Sequence, residues 1–240
     1  KSSWIDAASL DHPEDYVTAV AQVAVFRRQS ETTWVQIGTT IRRVALVGFH
    51  IVGSVNGHPE MVWATFEHID NAPQNGFLYF TTFHSIAAMP YDGNGTARWL
   101  FNSSPQESQT PVLRIVRINP WGDQPFPDLP DGMAEYSGDS SAITRATDLI
   151  SLNRSVIGWI GNDDVRSNYI QTGSIWSSGG PDGVPTSGSD PVLRGNRRLA
   201  NTTMETFHQF PDSSGTGSFR PENCFGCHSV STNSSPSQGV

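Results

Sequence analysis

The two cysteines of this 240-residue chain stand together near its end, in the run Glu222-Asn223-Cys224-Phe225-Gly226-Cys227-His228. Two thiols separated by two residues and followed at once by an imidazole have the spacing at which a haem is attached through its vinyl groups, the histidine then binding the iron. Cys224, Cys227 and His228 are accordingly the candidate ligands of one covalent haem c, with His228 on the proximal side of the iron. Other chemistries use a C-x-x-C pair. Zinc needs two further ligands, a thioredoxin-like pair should follow a strand and open a helix, and a local disulfide needs neither. The flanks Gly215-Thr216-Gly217-Ser218 and Ser229-Val230-Ser231-Thr232 have loop composition, and only the haem chemistry requires the adjacent His228.

An electron-transfer haem takes a second axial ligand, usually Met or His, whereas an open sixth position favours small-molecule chemistry. The distal candidates are His50, His68 and Met204, each with an ordinary structural reading beside it. Met204 lies twenty residues before Cys224 on a segment read as a helix, where an apolar packing role is the commoner one. Arg197 and Arg198, on the same segment, are candidate partners for the haem propionates, because guanidinium pairs bidentately with carboxylate; solvent exposure is their plain alternative.

The elements that must position these residues are mostly strands. Residues 34–39, 43–55, 61–69 and 77–81 are rich in β-branched and aromatic residues and bounded by Gly, Pro, Asn or Asp, 112–118 alternates apolar with basic residues, 168–176 is a short strand candidate, and 17–28 fits neither period cleanly but its β-branched content favours a strand. Asn56-Gly57 is a hairpin signal. If Val55 faces His58 across it, His50 pairs with Trp63 and His68 with Ala45, on opposite faces of the sheet. Pro59 could bulge that turn, and a one-residue slip would bring both imidazoles to one face. Residues 139–160 switch to steps of three and four (Ala142, Ala146, Leu149, Ile150, Val156, Ile157, Ile160) behind Asp139-Ser140-Ser141, the pattern of an amphipathic helix. Residues 196–207 read as a second helix, residues 1–16 as an irregular lead-in, and 177–190 and 229–240 as a polar loop and tail.

These readings give an α+β, mainly β chain: an antiparallel sheet or sandwich-like body with two or so helices and a C-terminal haem-binding loop. It is expected to form a single haem-binding domain over 1–240, mainly β over 1–135 and helices, haem loop and polar tail over 136–240. The 15 Lys and Arg against 23 Asp and Glu, a net charge of −8, argue against nucleic acid or an anionic membrane as partner and suit a basic redox protein. No apolar run is long enough for a membrane-spanning helix. The 22 Gly and 16 Pro suit an exported, loop-rich protein, and haem c is assembled outside the cytoplasm, so a periplasmic or extracellular bacterial location is expected. The chain is then either processed from a precursor or the C-terminal part of something longer.

The segments Leu46 to Val52, Met61 to Pro73, Leu199 to Glu205 and Cys224 to His228 together resemble a group of bacterial cytochrome c family proteins with one haem motif near the C-terminus. The resemblance spans most of the chain, although only its last segment is mechanistically specific. It implies an exported monohaem protein of poorly defined role, carries Cys224, Cys227 and His228 over as haem ligands, and leaves His50 and His68 as distal candidates; the function expected of the chain is single-electron transfer. Two rival functions stay open: a haem enzyme acting on peroxide or oxygen, with Glu67 as helper to a nearby histidine, and a haem-bearing assembly subunit of a larger complex or filament.

Overall fold

The computed structural model describes residues 1–56, 58–74, 77–89, 99–101, 140–161, 163–177, 193–196, 199, 201–205 and 224–225. The strand expected at 112–118, the loop after 177, the tail and the residues Arg197, Arg198, Cys227 and His228 lie outside the described residues.

The chain is α+β and mainly β, with antiparallel sheets. Its strands are β1 (Ser2–Asp6), β2 (Thr18–Arg28), β3 (Trp34–Val55), β4 (His58–His68), β5 (Phe77–Phe80), β6 (Ile86–Met89), β7 (Tyr169–Ser177) and β8 (Leu193–Gly195). Six of them form one antiparallel sheet in the order β1-β3-β4-β7-β8, with β2 also on β3, and β5-β6 is a separate hairpin. The 21-residue helix α1 (Ser140–Ile160) falls where the three- and four-residue periodicity put it. It packs Ala146 and Ile150 against Tyr79. Its Asn153 amide also bonds both backbone groups of Gln171 in β7, at 2.8 and 2.9 Å, in the way a strand neighbour would.

Three expectations change. Residues 34–39 and 43–55 are not two strands but one strand of 22 residues. Thr39, Thr40 and Ile41, exposed or half-exposed, bridge them, because β-branched residues suit a pleated strand even where no core receives them. The lead-in contains β1, which pairs with the middle of β3 from Phe49 to Val44, and short 3-10 turns at Ala7–Ser9 and Pro13–Asp15. The described residues of the second expected helix, 196, 199 and 201–205, are not helical, and 201–205 is a turn in which Glu205 N–H bonds Asn201 O at 3.0 Å. Asn196 and Asn201 turn their amides onto neighbouring backbone instead, Asn196 Oδ1 accepting Ser174 N–H and Asn201 Nδ2 donating to Phe66 O. Asparagine competes with helix in this way.

The hairpin between β3 and β4 pairs Val55 with His58 as its sequence implies, and then departs from it. From Val62 onward the partners are Gly53–Val62, Val52–Trp63, His50–Thr65 and Gly48–Glu67. β4 therefore holds two extra residues near Pro59 to Met61, and Met61 takes a left-handed φ of 63°. His50 faces Thr65 rather than Trp63. Since side chains alternate with a period of two, an even slip leaves every face where it was.

The sheet is covered on both sides. One face buries Ala45 and Val47 under Ala7 and Tyr16; His68 lies on it with its ring stacked on Tyr16 at a centroid distance of 3.7 Å and edge-on to Tyr169. The opposite face buries Ile175, Leu193, Leu199 and Phe225. Tyr169 ties β7 to β3 and to the residue just before β2, its hydroxyl donating to Leu46 O at 2.7 Å and accepting Val17 N–H at 3.0 Å. Burial pushes the Tyr169 hydroxyl from 10 up to about 12, and burial with the Asp70 carboxylate behind it pushes Tyr16 up as well.

A phenol that ionises later when folded stabilises the fold fully below its unfolded pKa, and the contribution goes as pH rises through the folded value. Denaturant unfolding should therefore give constant tyrosine-linked stability below pH 10 and a decline between pH 10 and about 12 that Tyr169→Phe reduces. An identical alkaline decline in Tyr169→Phe would contradict the assignment.

Candidate functional site

The site is built on the face that carries Gly48 and His50 from β3 and Trp63, Thr65 and Glu67 from β4. Residues 201–205 lie across this face as a strap. Glu67, wholly buried, accepts Thr202 N–H through Oε1 at 2.7 Å and the Thr202 hydroxyl through Oε2 at 2.6 Å. Asn201, also wholly buried, donates to Thr65 Oγ1 at 2.9 Å and Phe66 O at 3.0 Å, while its Oδ1 accepts the backbone and hydroxyl of Thr203. These bonds replace the water that the buried polar groups give up.

The strap lies so close to β3 that Gly48 is required. A Cβ there would stand 2.6 Å from Thr203 Oγ1 and 2.8 Å from Asn201 Oδ1. Gly173 in β7, at φ +152°, does the same for the approach of Asn196 and Leu199.

His50 meets the end of the strap. Its Nε2 is 2.7 Å from Glu205 Oε1, and Glu205 Oε2 accepts Asn201 N–H at 2.8 Å. A carboxylate only accepts hydrogen bonds, so the proton of that contact belongs to Nε2, and in the neutral ring the lone pair sits on Nδ1. Nδ1 is buried and has no hydrogen-bond partner among the described residues. A histidine with one nitrogen held by a carboxylate and the other uncommitted is arranged as metal-ligating histidines are.

The first half of the cysteine motif lies on the same face. Phe225 is buried against Ile175, Leu193 and Leu199, with Trp63 and Cys224 packed beside them; the Trp63 and Phe225 rings are 5.6 Å apart, tilted by 54°. Trp63 is two residues from Thr65, the partner of His50, so Phe225 touches the sheet about 7 Å along the strand from the His50 pair.

The other expected site residues fall elsewhere. His68 lies on the opposite face, as the alternation requires, wholly buried. Its Nε2 is 3.0 Å from Asp15 O and its Nδ1 accepts Asp70 N–H at 3.2 Å, so in this arrangement both ring nitrogens already serve backbone groups. Met204 sits half-buried within the strap, on a turn and not a helix. Among the described residues no group of three or more His, Cys, Asp or Glu could hold a metal ion by protein ligands alone. Glu205, Asn201 and Thr202 escaped the sequence reading. The run Asn201-Thr202-Thr203 carries the side chains that form turns, which signals the strap but not what it touches.

No protein-family model, curated protein or solved structure matches this chain.

Two substitutions measure what the strap contributes. Glu67→Ala leaves the Thr202 N–H and hydroxyl without these acceptors inside the protein and should lower the unfolding free energy by about 2–4 kcal/mol. Gly48→Ala, which forces the strap off β3, should cost about 1–3 kcal/mol. Urea unfolding followed by Trp fluorescence reads both, and wild-type midpoints in both variants would contradict the strap's role.

Proposed function

We propose that the chain is an extracytoplasmic monohaem c-type cytochrome that passes single electrons. The observation that carries the reading is the C-x-x-C-H motif, whose first cysteine and Phe225 are seated on the sheet face that also bears His50. Cys224 and Cys227 would hold the haem by thioether bonds and His228 would bind its iron. Such a haem supplies one-electron redox chemistry. Arg197 and Arg198 remain the proposed partners of its propionates.

His50 is preferred to His68 and Met204 as the ligand on the far side of the iron. Its unpartnered buried Nδ1 is the group in the described residues that fits this role, while the nitrogens of His68 are occupied. Glu205 keeps the proton on the other nitrogen and fixes the ring. The acidic net charge of −8 favours a basic redox partner, met by electrostatic steering.

Expression with a periplasmic haem-attachment system tests the reading. Haem should stay bound through acid-acetone extraction and be lost in Cys224→Ser/Cys227→Ser. The spectrum should be six-coordinate and low-spin, and His50→Ala should turn it high-spin or five-coordinate. Absence of covalent haem would refute the cytochrome reading; a low-spin spectrum unchanged in His50→Ala would leave the cytochrome and remove His50 from its iron.

A further inference from the structure

The longest hairpin in the described chain does not belong to the body of the sheet. β2 pairs with β3 from Thr18–Ala45 to Arg28–Trp34, while β1 pairs with β3 only from Phe49 to Val44. Ala45 pairs with both, so β1 and β2 lie on opposite sides of β3. Beyond Val44 the two strands therefore run on as a two-stranded ribbon over residues 20–43, and among the described residues neither outer edge is paired. Eight steps of extended chain from Val20 to Arg28 make it about 27 Å long.

A ribbon of two strands with both edges in water is marginal unless something covers it. This one also displays large apolar side chains: Val20 is 74% exposed, Ile41 66%, Trp34 61%, Ile37 54% and Phe26 53%. One side forms an open trough of about 600 Å³ lined by Trp4, Ala21, Val23, Val25, Phe26 and Thr40. Val20 and Ile41 lie on one face of the ribbon and the trough on the other, so both faces present apolar side chains, and exposed apolar surface on this scale marks an interaction site.

Charge names the occupant. Residues 20–43 hold Arg27, Arg28, Arg42 and Arg43 against Glu31, a net of +3 in a chain of −8, which leaves −11 on everything else. The body bears an acidic corner at the ribbon's root. Asp11, Glu14 and Asp15 are exposed around the turn Pro13–Asp15, and His68 joins them to exposed Asp70 by bonding Asp15 O and Asp70 N–H. Asn168 bonds Asp15 O at 2.8 Å and so draws in the turn Val165–Asn168, preceded by exposed Asp163. Glu14 feels the charge of its own Arg43, but Arg27 and Arg28 at the ribbon's tip lie about 27 Å away and cannot reach this corner. Ribbon against ribbon would set arginines against arginines.

We propose that the ribbon is an assembly arm, which lays its apolar side chains and tip arginines on the acidic body of a second copy of this chain. Two copies related by a two-fold axis exchange arms, so that each contact is made twice. The inference does not depend on the haem, because association is read on the chain whether or not it carries one.

Sedimentation velocity and light scattering of the whole chain test it. The wild type should dimerise, more weakly at high salt, because exposed charge pairs are screened. Phe26→Ser/Trp34→Ser alters only exposed side chains and should weaken dimerisation by about tenfold or more. Arg27→Glu/Arg28→Glu and Asp11→Lys/Glu14→Lys should each be monomeric alone, and an equimolar mixture should recover the dimer, since both arm contacts are again complementary. Recovery on mixing also shows that neither variant failed to fold. A monomeric wild type, full dimerisation of Phe26→Ser/Trp34→Ser, or no recovery in the mixture would each overturn the proposal.

Discussion

A carboxylate with no exposed surface organises the described part of this protein. Glu67 stands in β4 with its two oxygens on the backbone and hydroxyl of Thr202, 135 residues further along the chain. Removing a carboxylate from water is costly unless its oxygens are satisfied, and here they are met by a turn that has no regular structure of its own. The dependence runs both ways. The turn is kept in place by the sheet's buried acceptors, and the sheet's face is closed by the turn. Around that contact the rest follows: Asn201 fills the space over Thr65, Glu205 comes within reach of His50, and Leu199 joins the cluster that receives Phe225.

The two histidines illustrate what a sheet covered on both sides allows. His50 and His68 lie on opposite faces and meet different surroundings. His68 is part of the packing, between two tyrosine rings, and its nitrogens are used to fasten the turns at Asp15 and Asp70. His50 has one nitrogen committed and one not. The same residue type thus acts as mortar on one face and as a chemical candidate on the other, and local sequence does not distinguish them.

What could be read from the sequence follows from the range of the forces involved. Strands and the helix α1 were legible because period and turn residues are local: Asn56-Gly57 marks the hairpin, and Ala146, Leu149 and Ile150 mark the helix. The continuity of β3 through Thr39, Thr40 and Ile41 was not, since those residues are placed by pairing with Gln22, Val23 and Ala24 rather than by burial. The turn at 201–205 was expected to be helix, whereas the asparagine and threonine side chains decide the backbone there by bonding to β4. The partner of His50 lies 155 residues away, and no pattern within either segment announces it. Even the face of each histidine was derived correctly through a pairing that was off by two residues.

That last point bears on how this chain can vary. The extra residues near Pro59 to Met61 are accommodated where β4 leaves the hairpin, and they come as two. Lengthening or shortening this bulge by a single residue would exchange the two faces of β4 between the bulge and His68. Glu67 would then be carried away from Thr202 and His68 into its place. An insertion or deletion that shifts β4 along β3 therefore keeps these faces only if its length is even, a parity rule imposed by a carboxylate several residues downstream rather than by the turn itself.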